Sequence, residues 1–349
     1  MLLFLLKSRL AWRKMSVEDR YQRPLRDLRI SVTDRCNFRC RYCMPAEIFG
    51  ADYRFLPREE ILRFGEIELI ARALVGLGVR KLRLTGGEPL VRRDLSILVE
   101  KLASIAGVED IAMTTNASLL GRHAQRLKEA GLHRVTVSLD ALDEAIFGQM
   151  NGVGARAQRV IEGIDTALEC GLGVKVNAVI QKGVNDQEVL ALAEFARTRK
   201  IPIRYIEFMD TGNTNGWKHE QVVPSYQVLE SLREVMALEA VSKPLLGETA
   251  ERYTLSGGDG FEVGFISSVS KPFCRDCNRL RLSAEGQLYT CLFAASGHDL
   301  KTLVREGNGE ASLRQFVTQI WSQREDRYSE LRSEGMAPIA KKEMSYLGG

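Results

Sequence analysis

Apolar, largely β-branched runs alternate with helical patterns from about residue 28 to residue 208. The runs predict strands at 28–33, 79–85, 110–115, 134–139, 173–181 and 202–208. Between them, apolar positions at helical spacing predict helices at 58–77, 94–105, 122–130, 155–170 and 186–200. Gly78, Gly107, Gly131 and Gly171 stand at helix ends, as C-terminal caps do. Strands joined by helical crossovers indicate a parallel sheet. Six repeats fall short of a complete eight-fold barrel, so the expected fold is α/β, an incomplete (βα)6 barrel. Past about residue 245 the pattern changes to two β-hairpins, one turning at Gly257, Gly258 and Gly260, the other at Ala284-Glu285-Gly286. A helix over 312–330 and the tail Gly348-Gly349 end the chain. The expected division is an extension at 1–19, disordered; a core at 20–245; and a hairpin-rich and helical C-terminal region at 246–349, forming a separate architectural unit.

Four of the strands break the pattern. Strands covered by helices on both faces should be almost continuously apolar, yet Arg29, Arg83, Lys175 and Arg204 each stand between apolar neighbours. Alternation turns those side chains to one face, which in a barrel is the lumen. Burying an unpaired charge costs several kcal/mol. Either the lumen holds an anion or is wet, or each cation pairs with an acid such as Glu88 or Glu207. Repetition over four strands favours a polyanion such as a triphosphate.

Composition narrows the class. The 349 residues are 45% hydrophobic and 27% charged, which excludes a disordered chain and supplies a sizeable core. A net charge of only +4 opposes a dedicated nucleic-acid binder. No apolar run approaches the ~20 residues of a membrane span. Leu2 to Leu6 is too short for a secretory core, and the cations Lys7, Arg9, Arg13 and Lys14 have the flavour of a transit peptide but little serine. A start at Met15 explains the segment equally well, and the expected compartment is the cytoplasm.

Seven cysteines carry the chemistry. An odd number in a long chain opposes a secreted disulfide framework. Cys170 stands alone and reads as a small buried hydrophobe. The others form two triplets, Cys36-x3-Cys40-x2-Cys43 and Cys274-x2-Cys277-x13-Cys291. Neither has a neighbouring histidine, and structural zinc wants four closed ligands. An iron–sulfur cubane held by three thiolates keeps one iron open to a small molecule. On the cysteines alone, zinc, redox and cluster chemistry all remain open.

The surrounding motifs resolve that choice by resemblance. Cys36-Asn37-Phe38-Arg39-Cys40-Arg41-Tyr42-Cys43 after a strand, followed one β–α unit later by Thr85-Gly86-Gly87-Glu88-Pro89, resembles the signature of radical S-adenosylmethionine enzymes. The segments 26–35, Thr114-Thr115-Asn116, Val137-Ser138-Leu139-Asp140, 206–210 and Phe273-Cys274-x2-Cys277-x-Arg279-Leu280-Arg281 resemble the GTP 3′,8-cyclase family of molybdenum-cofactor biosynthesis. So does the terminal Gly348-Gly349. The likeness runs from about residue 20 to residue 349, with Ala117 where the family pattern has glycine.

The resemblance implies two [4Fe–4S] clusters and S-adenosylmethionine as cofactors. Cys36, Cys40 and Cys43 would hold the first cluster, and Tyr42, Gly87, Ser138 and Met209 would line the S-adenosylmethionine site. Cys274, Cys277 and Cys291 would hold the second cluster, facing the guanine of GTP. Arg29, Arg83, Thr114, Lys175, Arg279, Leu280 and Arg281 would bind GTP, with Arg279, Arg281, Gly348 and Gly349 supporting catalysis. A 5′-deoxyadenosyl radical would take hydrogen from ribose C3′, and the C3′ radical would close onto guanine C8. The product would be 3′,8-cyclo-7,8-dihydro-GTP. An electron donor and a downstream cyclic pyranopterin monophosphate synthase are implied partners, a homodimer stays open, and neither nucleic acid nor membrane is expected. A peptide maturase with a second cluster is the rival of the same class, and a zinc-binding regulatory or nucleic-acid module the rival of another.

Overall fold

The structure, a computed structural model, describes residues 16–241, 247–258, 260–335 and 339–348. Residues 1–15 of the expected extension, the boundary near 245 and Gly349 lie outside the described residues. In β1 (Asp27–Ser31) Leu28 and Ile30 are fully buried while Arg29 between them is not. β2 (Lys81–Thr85) repeats the pattern with Leu82, Arg83 and Leu84. β3 (Asp110–Thr115), β4 (Arg134–Ser138), β5 (Gly173–Ile180) and β6 (Ile203–Glu207) follow. Each pairs in parallel with its predecessor in the chain.

The crossovers are α1 (Phe64–Val75), α2 (Leu95–Ala103), α3 (Ala124–Glu129), α4 (Glu144–Asn151) with α5 (Ala157–Glu169), and α6 (Val189–Thr198). The first helix starts later than expected because Leu62 gives its N–H to Ala284 O at 2.8 Å. α4 escaped the periodicity, but its cap was legible: the Asp143 carboxylate accepts from the N–H groups of Ala145 and Ile146, both at 2.9 Å.

The remaining elements are α7 (Ser225–Arg233), β7 (Leu238–Ala240), β8 (Glu251–Leu255), β9 (Glu262–Ile266), β10 (Arg279–Leu282), β11 (Gln287–Tyr289), β12 (His298–Asp299), α8 (Lys301–Arg305), α9 (Glu310–Ser322), α10 (Tyr328–Ser333) and α11 (Met344–Leu347). Both expected hairpins form, as β8–β9 and β10–β11. They do not make a separate unit. β9 joins β6 in parallel, and β10 joins β1 in parallel, so the C-terminal region extends both edges of one open twelve-stranded sheet in the order β12-β11-β10-β1-β2-β3-β4-β5-β6-β9-β8-β7. An open parallel sheet leaves unpaired N–H and C=O groups at each edge, and pairing satisfies them. One hydrophobic core then runs from Leu25 to Trp321.

Residues 16–19, assigned by sequence to a disordered extension, pack instead. Val17 N–H donates to Leu77 O at 3.2 Å, Glu18 bridges Pro24, and the Asp19 side chain is fully buried.

Leu280 lies opposite Leu28 on the β10–β1 ladder with no exposed surface. Leu280→Ala is expected to cost about 2–5 kcal/mol, the usual range for a buried leucine. Urea denaturation of the apoprotein measures it, and a loss under about 1 kcal/mol would mean that the β10 edge packs loosely.

Candidate active site

The first cysteine triplet sits in the loop leaving β1. Met44 N–H donates to Cys40 O at 2.8 Å and Cys43 N–H to the same oxygen at 2.9 Å, folding the loop back on itself. The Arg39 guanidinium pins it from within, donating to Phe49 O, Cys36 O and Phe38 O at 2.7, 2.7 and 2.8 Å. The Gly86-Gly87 turn after β2 presses against this loop from below. A Cβ on Gly87 would lie 2.2 Å from Arg35 O, and one on Gly86 2.4 Å from Thr33 O. Only glycine permits that approach. Glu88 binds the next turn, accepting from Thr115 Oγ1 and Asn116 N–H at 2.7 Å each and from Leu90 N–H at 3.0 Å. Asn116 in turn donates to Asn37 Oδ1 at 2.9 Å and approaches Cys36 Sγ at 3.9 Å. Three strand ends are thus laced together around the thiols.

Ala117, in the family's glycine position, has φ +58°. Left-handed backbone costs a non-glycine residue roughly 1–2 kcal/mol. Its buried methyl offsets about 0.8 kcal/mol of that, which leaves alanine here with a small net cost.

The second triplet occupies the segment before and after the β10–β11 hairpin. Asp19, which sequence reading assigned to the extension, takes part in holding it together with Arg23 and Arg324. Arg23 Nη1 donates to Cys274 O at 2.7 Å, and Arg324 Nη1 donates to Cys277 O at 2.7 Å. Arg324 Nη2 reaches Cys277 Sγ at 3.2 Å. Asp19 joins the two guanidiniums, at 2.6 Å from Arg23 Nε and 3.2 Å from Arg324 Nη1.

All six cysteines line one cavity, so the triplets share a site rather than occupying separate units. Their electrostatics differ. Burial raises Cys36 and Cys43 to about 12, assisted by Glu88 at Cys36 and by Cys36 at Cys43. Cys40 is raised as well, by burial and then by Cys36. At the second site, burial and then Asp326 raise Cys291 to about 12. Burial also pushes Cys277 up, but Arg279 and Arg324 overturn it and bring the thiol down to about 6.

All seven cysteines are free. Among the described residues, no three His, Cys, Asp or Glu side chains converge for a single metal ion. Two sets of three soft donors and no histidine therefore suit clusters better than zinc.

Strand register assembles the cations. Arg281 on β10 lies opposite Arg29 on β1, which lies opposite Arg83 on β2. Burial, then Arg281, Arg279 and Arg83, hold Arg29 well below the usual arginine range. Arg83 and Arg281 are lowered to about 10, burial first and like charges next. Arg83 donates to Thr114 Oγ1 at 3.1 Å and Thr136 Oγ1 at 3.0 Å, both neutral partners. Arg279 lies over the Phe273 ring at 5.3 Å, and its buried Nε has no hydrogen-bond partner. This row asks for an anion.

The proposed acidic partners do other work. Glu88 binds the turn already described, and Glu207 accepts from Ser225, Val269 and Ser270 N–H groups, each at 2.8 Å. Arg204 pairs with Glu248 instead, at 3.4 Å. Lys175 is half-buried and makes no ion pair among the described residues, with Arg204 and Glu262 the strongest charges near it.

Of the residues assigned to S-adenosylmethionine, Tyr42, Gly87, Ser138 and Met209 all line the cavity. Tyr42 also donates to Asp140 Oδ2 at 2.7 Å. Arg29, Thr114, Arg279 and Arg281 line it too. Leu280 does not: alternation turns its side chain into the core, leaving only its backbone near the site. Arg83 reaches the site through Thr114, and Lys175 lies outside the cavity lining. The tail arrives as well. Gly348 O accepts from Arg281 Nη1, while Leu347 O lies 3.4 Å from the same nitrogen. Gly348 has φ +68°, and a Cβ there would lie 2.1 Å from Thr85 Cγ2.

Sequence reading missed Asn177. It lines the cavity opposite Ser138, with a buried Oδ1 that has no hydrogen-bond partner. Its signal was one alternation step beyond Lys175 on β5. Asp19, Arg23 and Arg324 carried no motif at all.

Comparison with known proteins adds the following. Residues 30–196 match the Radical SAM superfamily, and residues 201–330 match Molybdenum Cofactor Synthesis C. The chain is 49% identical to the GTP 3′,8-cyclase of Acidothermus cellulolyticus, over 95% of this chain and 99% of that protein. It is 46% identical to that of Staphylococcus carnosus over the same shares. The crystal structure of Streptococcus suis SuiB bound to S-adenosylmethionine matches 88% of this chain and 71% of that one, with TM-score 0.59 at 16% identity, a likeness of fold alone.

Gly87→Ala is expected to lower the thermal midpoint of the apoprotein, because Arg35 O cannot move without displacing the cysteine loop. Gly65→Ala, where a Cβ meets nothing within 4 Å, should be neutral or stabilising. Equal midpoints for the two variants in differential scanning calorimetry would show that the turn yields freely.

Proposed function

The chain belongs to the GTP 3′,8-cyclase family of radical S-adenosylmethionine enzymes, and we propose that its two cysteine triplets and its arginine row divide the reaction across one shared cavity. The enzyme converts GTP to 3′,8-cyclo-7,8-dihydro-GTP, an early step of molybdenum-cofactor biosynthesis, with S-adenosylmethionine and iron–sulfur clusters as cofactors. Relatives at this identity over nearly the whole chain displace the peptide-maturase and zinc-module readings.

Cys36, Cys40 and Cys43 hold the first cluster, and Cys274, Cys277 and Cys291 the second. When bound, the first cluster and S-adenosylmethionine supply the radical that starts ring closure. The chain's own residues bind, orient and shield. Loading must displace protons from thiols held near 12, so cluster binding is coupled to proton release. Tyr42, Gly87, Ser138 and Met209 face S-adenosylmethionine. The row Arg281–Arg29–Arg83 carries the argument for GTP: three adjacent buried guanidiniums repel one another until an anion such as a triphosphate enters. Arg279 and Arg281, which line the cavity, are placed to stabilise negative charge developing on the purine. The Gly348 carbonyl on Arg281 orients that guanidinium from the tail side.

No described helix is long and apolar enough to cross a membrane. Seven free cysteines suit a reducing compartment, and we place the enzyme in the cytoplasm. A one-electron donor stands before it, and a cyclic pyranopterin monophosphate synthase after it.

Measuring 5′-deoxyadenosine and cyclised product side by side under anaerobic conditions tests the division. Serine at Cys36, Cys40 or Cys43 should abolish both. Serine at Cys274, Cys277 or Cys291 should leave slow S-adenosylmethionine cleavage without product. Product at the parent rate from a Cys274 variant sinks the assignment of the second site.

A second comparison separates two strand cations. Lys175→Ala should weaken GTP binding tenfold or more by anaerobic calorimetry, an energy of about 1.4 kcal/mol. Arg204→Ala removes one of two guanidiniums from Glu248, which keeps Arg252 at 3.0 Å, and should change GTP affinity less than Lys175→Ala does. The reverse order would place the triphosphate nearer β6.

A further inference from the structure

We infer that Arg324, locked by Asp19 and Arg23, positions the second cysteine triplet and raises the reduction potential of the cluster held there above that of the first. The inference rests on the assignment of a cluster to Cys274, Cys277 and Cys291.

The geometry is that of a clamp. Arg324 Nη1 donates to Cys277 O at 2.7 Å, Arg324 Nε to Thr290 O at 3.1 Å, and Arg23 Nη1 to Cys274 O at 2.7 Å. Two guanidiniums therefore grip the backbone at two of the ligand cysteines and immediately before the third. Arg23 Nη1 also donates to Asp326 O at 2.8 Å, which ties the segment after α9 into the same knot. Side-chain exposure is 0% for Asp19, 2% for Arg23 and 1% for Arg324. The Trp321 ring lies 4.6 Å from the Arg324 guanidinium, and its Nε1–H donates to Arg23 O at 3.1 Å. Nothing here is free to swing.

Charge gives the clamp its second consequence. Two buried guanidiniums share one buried carboxylate, and the remaining acid at Arg324, Asp326, is partly exposed at 3.2 Å. Arg23 Nη2 is buried without any hydrogen-bond partner. A surplus buried cation is costly until an anion offsets it, and the sulfur of Cys277, 3.2 Å from Arg324 Nη2, is where that anion lies. At the first triplet the donors to sulfur are neutral: Phe38 N–H at 3.3 Å and the Asn116 amide at 3.9 Å to Cys36, and the Tyr42 hydroxyl to Cys40. Arg39 holds the Cys36 carbonyl but bonds no cysteine sulfur. Hydrogen bonds to ligand sulfurs and local charge set cluster potentials. A cation donating to Cys277 favours the reduced, more negative state, so the second cluster accepts an electron more readily than the first.

The test titrates the second cluster alone, in full-length, anaerobically reconstituted protein carrying serine at Cys36, Cys40 and Cys43. Potentiometry monitored by electron paramagnetic resonance reads its midpoint with Arg324 intact and in Arg324→Gln. The expected result is a shift to lower potential, at least tenfold in the reduction equilibrium, or about 59 mV for one electron. The first cluster, titrated with serine at Cys274, Cys277 and Cys291, should not move with Arg324→Gln. Arg324→Lys keeps a cation but loses the fork, and should shift in the same direction by less. Loss of the second cluster in Arg324→Gln with the first retained supports the clamp. An unchanged midpoint, or equal shifts at both clusters, overturns the inference. If Arg324→Gln does not fold, an unchanged midpoint in Arg324→Lys overturns it equally. Failure of the Arg324-intact protein to bind iron at the second triplet would instead sink the cluster assignment itself.

Discussion

Arg29 stands between Arg281 and Arg83 because β1 is hydrogen-bonded on one side to β10 and on the other to β2. That ladder joins the beginning of the core to a segment far along the chain. It also places like charges side by side, which no fold would choose for stability. The apolar partners of the same register, Leu28 with Leu280 and Leu82, and Ile30 with Leu282 and Leu84, compensate from the opposite face. The sheet therefore carries its binding charge on one face and its cohesion on the other. Shifting β10 by one residue would reverse both at once.

The strand-end loops solve a second problem, holding thiols and cations in place at the edge of a cavity that must admit ligands. Carboxylates bonded to backbone N–H groups do this. Glu88 binds the turns after β2 and β3, Glu207 binds the segments at Ser225 and Val269–Ser270, and Asp140 accepts from Val179 N–H and Tyr42. Burial raises Glu88 to about 7 and Asp140 to about 6, against the hydrogen bonds that oppose the shift. Such acids look like ion-pair partners in a sequence. In space they are spent on the backbone, which leaves the arginine row unneutralised.

Much of this was legible because it is local. Alternation places Arg29 and Arg83 opposite buried neighbours, and the spacing of Cys36, Cys40 and Cys43 is a property of one loop. The glycines of the Gly86-Gly87 turn are required by a contact with Thr33 and Arg35, yet their identity was visible as a motif. What stayed hidden depends on register between distant segments. Two hairpins read as a separate unit because a hairpin satisfies its own inner edge, and nothing local says that its outer edge seeks β1 or β6. Leu280 read as a substrate residue because it lies between Arg279 and Arg281, whereas the same alternation carries it into the core. Arg204 found its acid in Glu248, 44 residues further along the chain, a pairing that periodicity does not describe.

The N-terminal residues 16–25 show how far such hidden contacts reach. They carry no motif, and the first four of them, 16–19, read as part of an extension beside a cationic, apolar start. Asp19 nevertheless has a fully buried side chain, set against Arg23, which holds the Cys274 carbonyl, and Arg324, which reaches the Cys277 sulfur. A single carboxylate cannot neutralise both. It lowers the cost of burying them, the partly exposed Asp326 offsets Arg324 further at 3.2 Å, and together they fix where that guanidinium points. At the first triplet the same role falls to amides and backbone N–H groups, which orient sulfur without supplying charge. One cavity thus contains two soft-donor sites that differ at Cys277, where a guanidinium meets the sulfur. That difference arises outside both cysteine motifs, in side chains whose importance depends on what they touch.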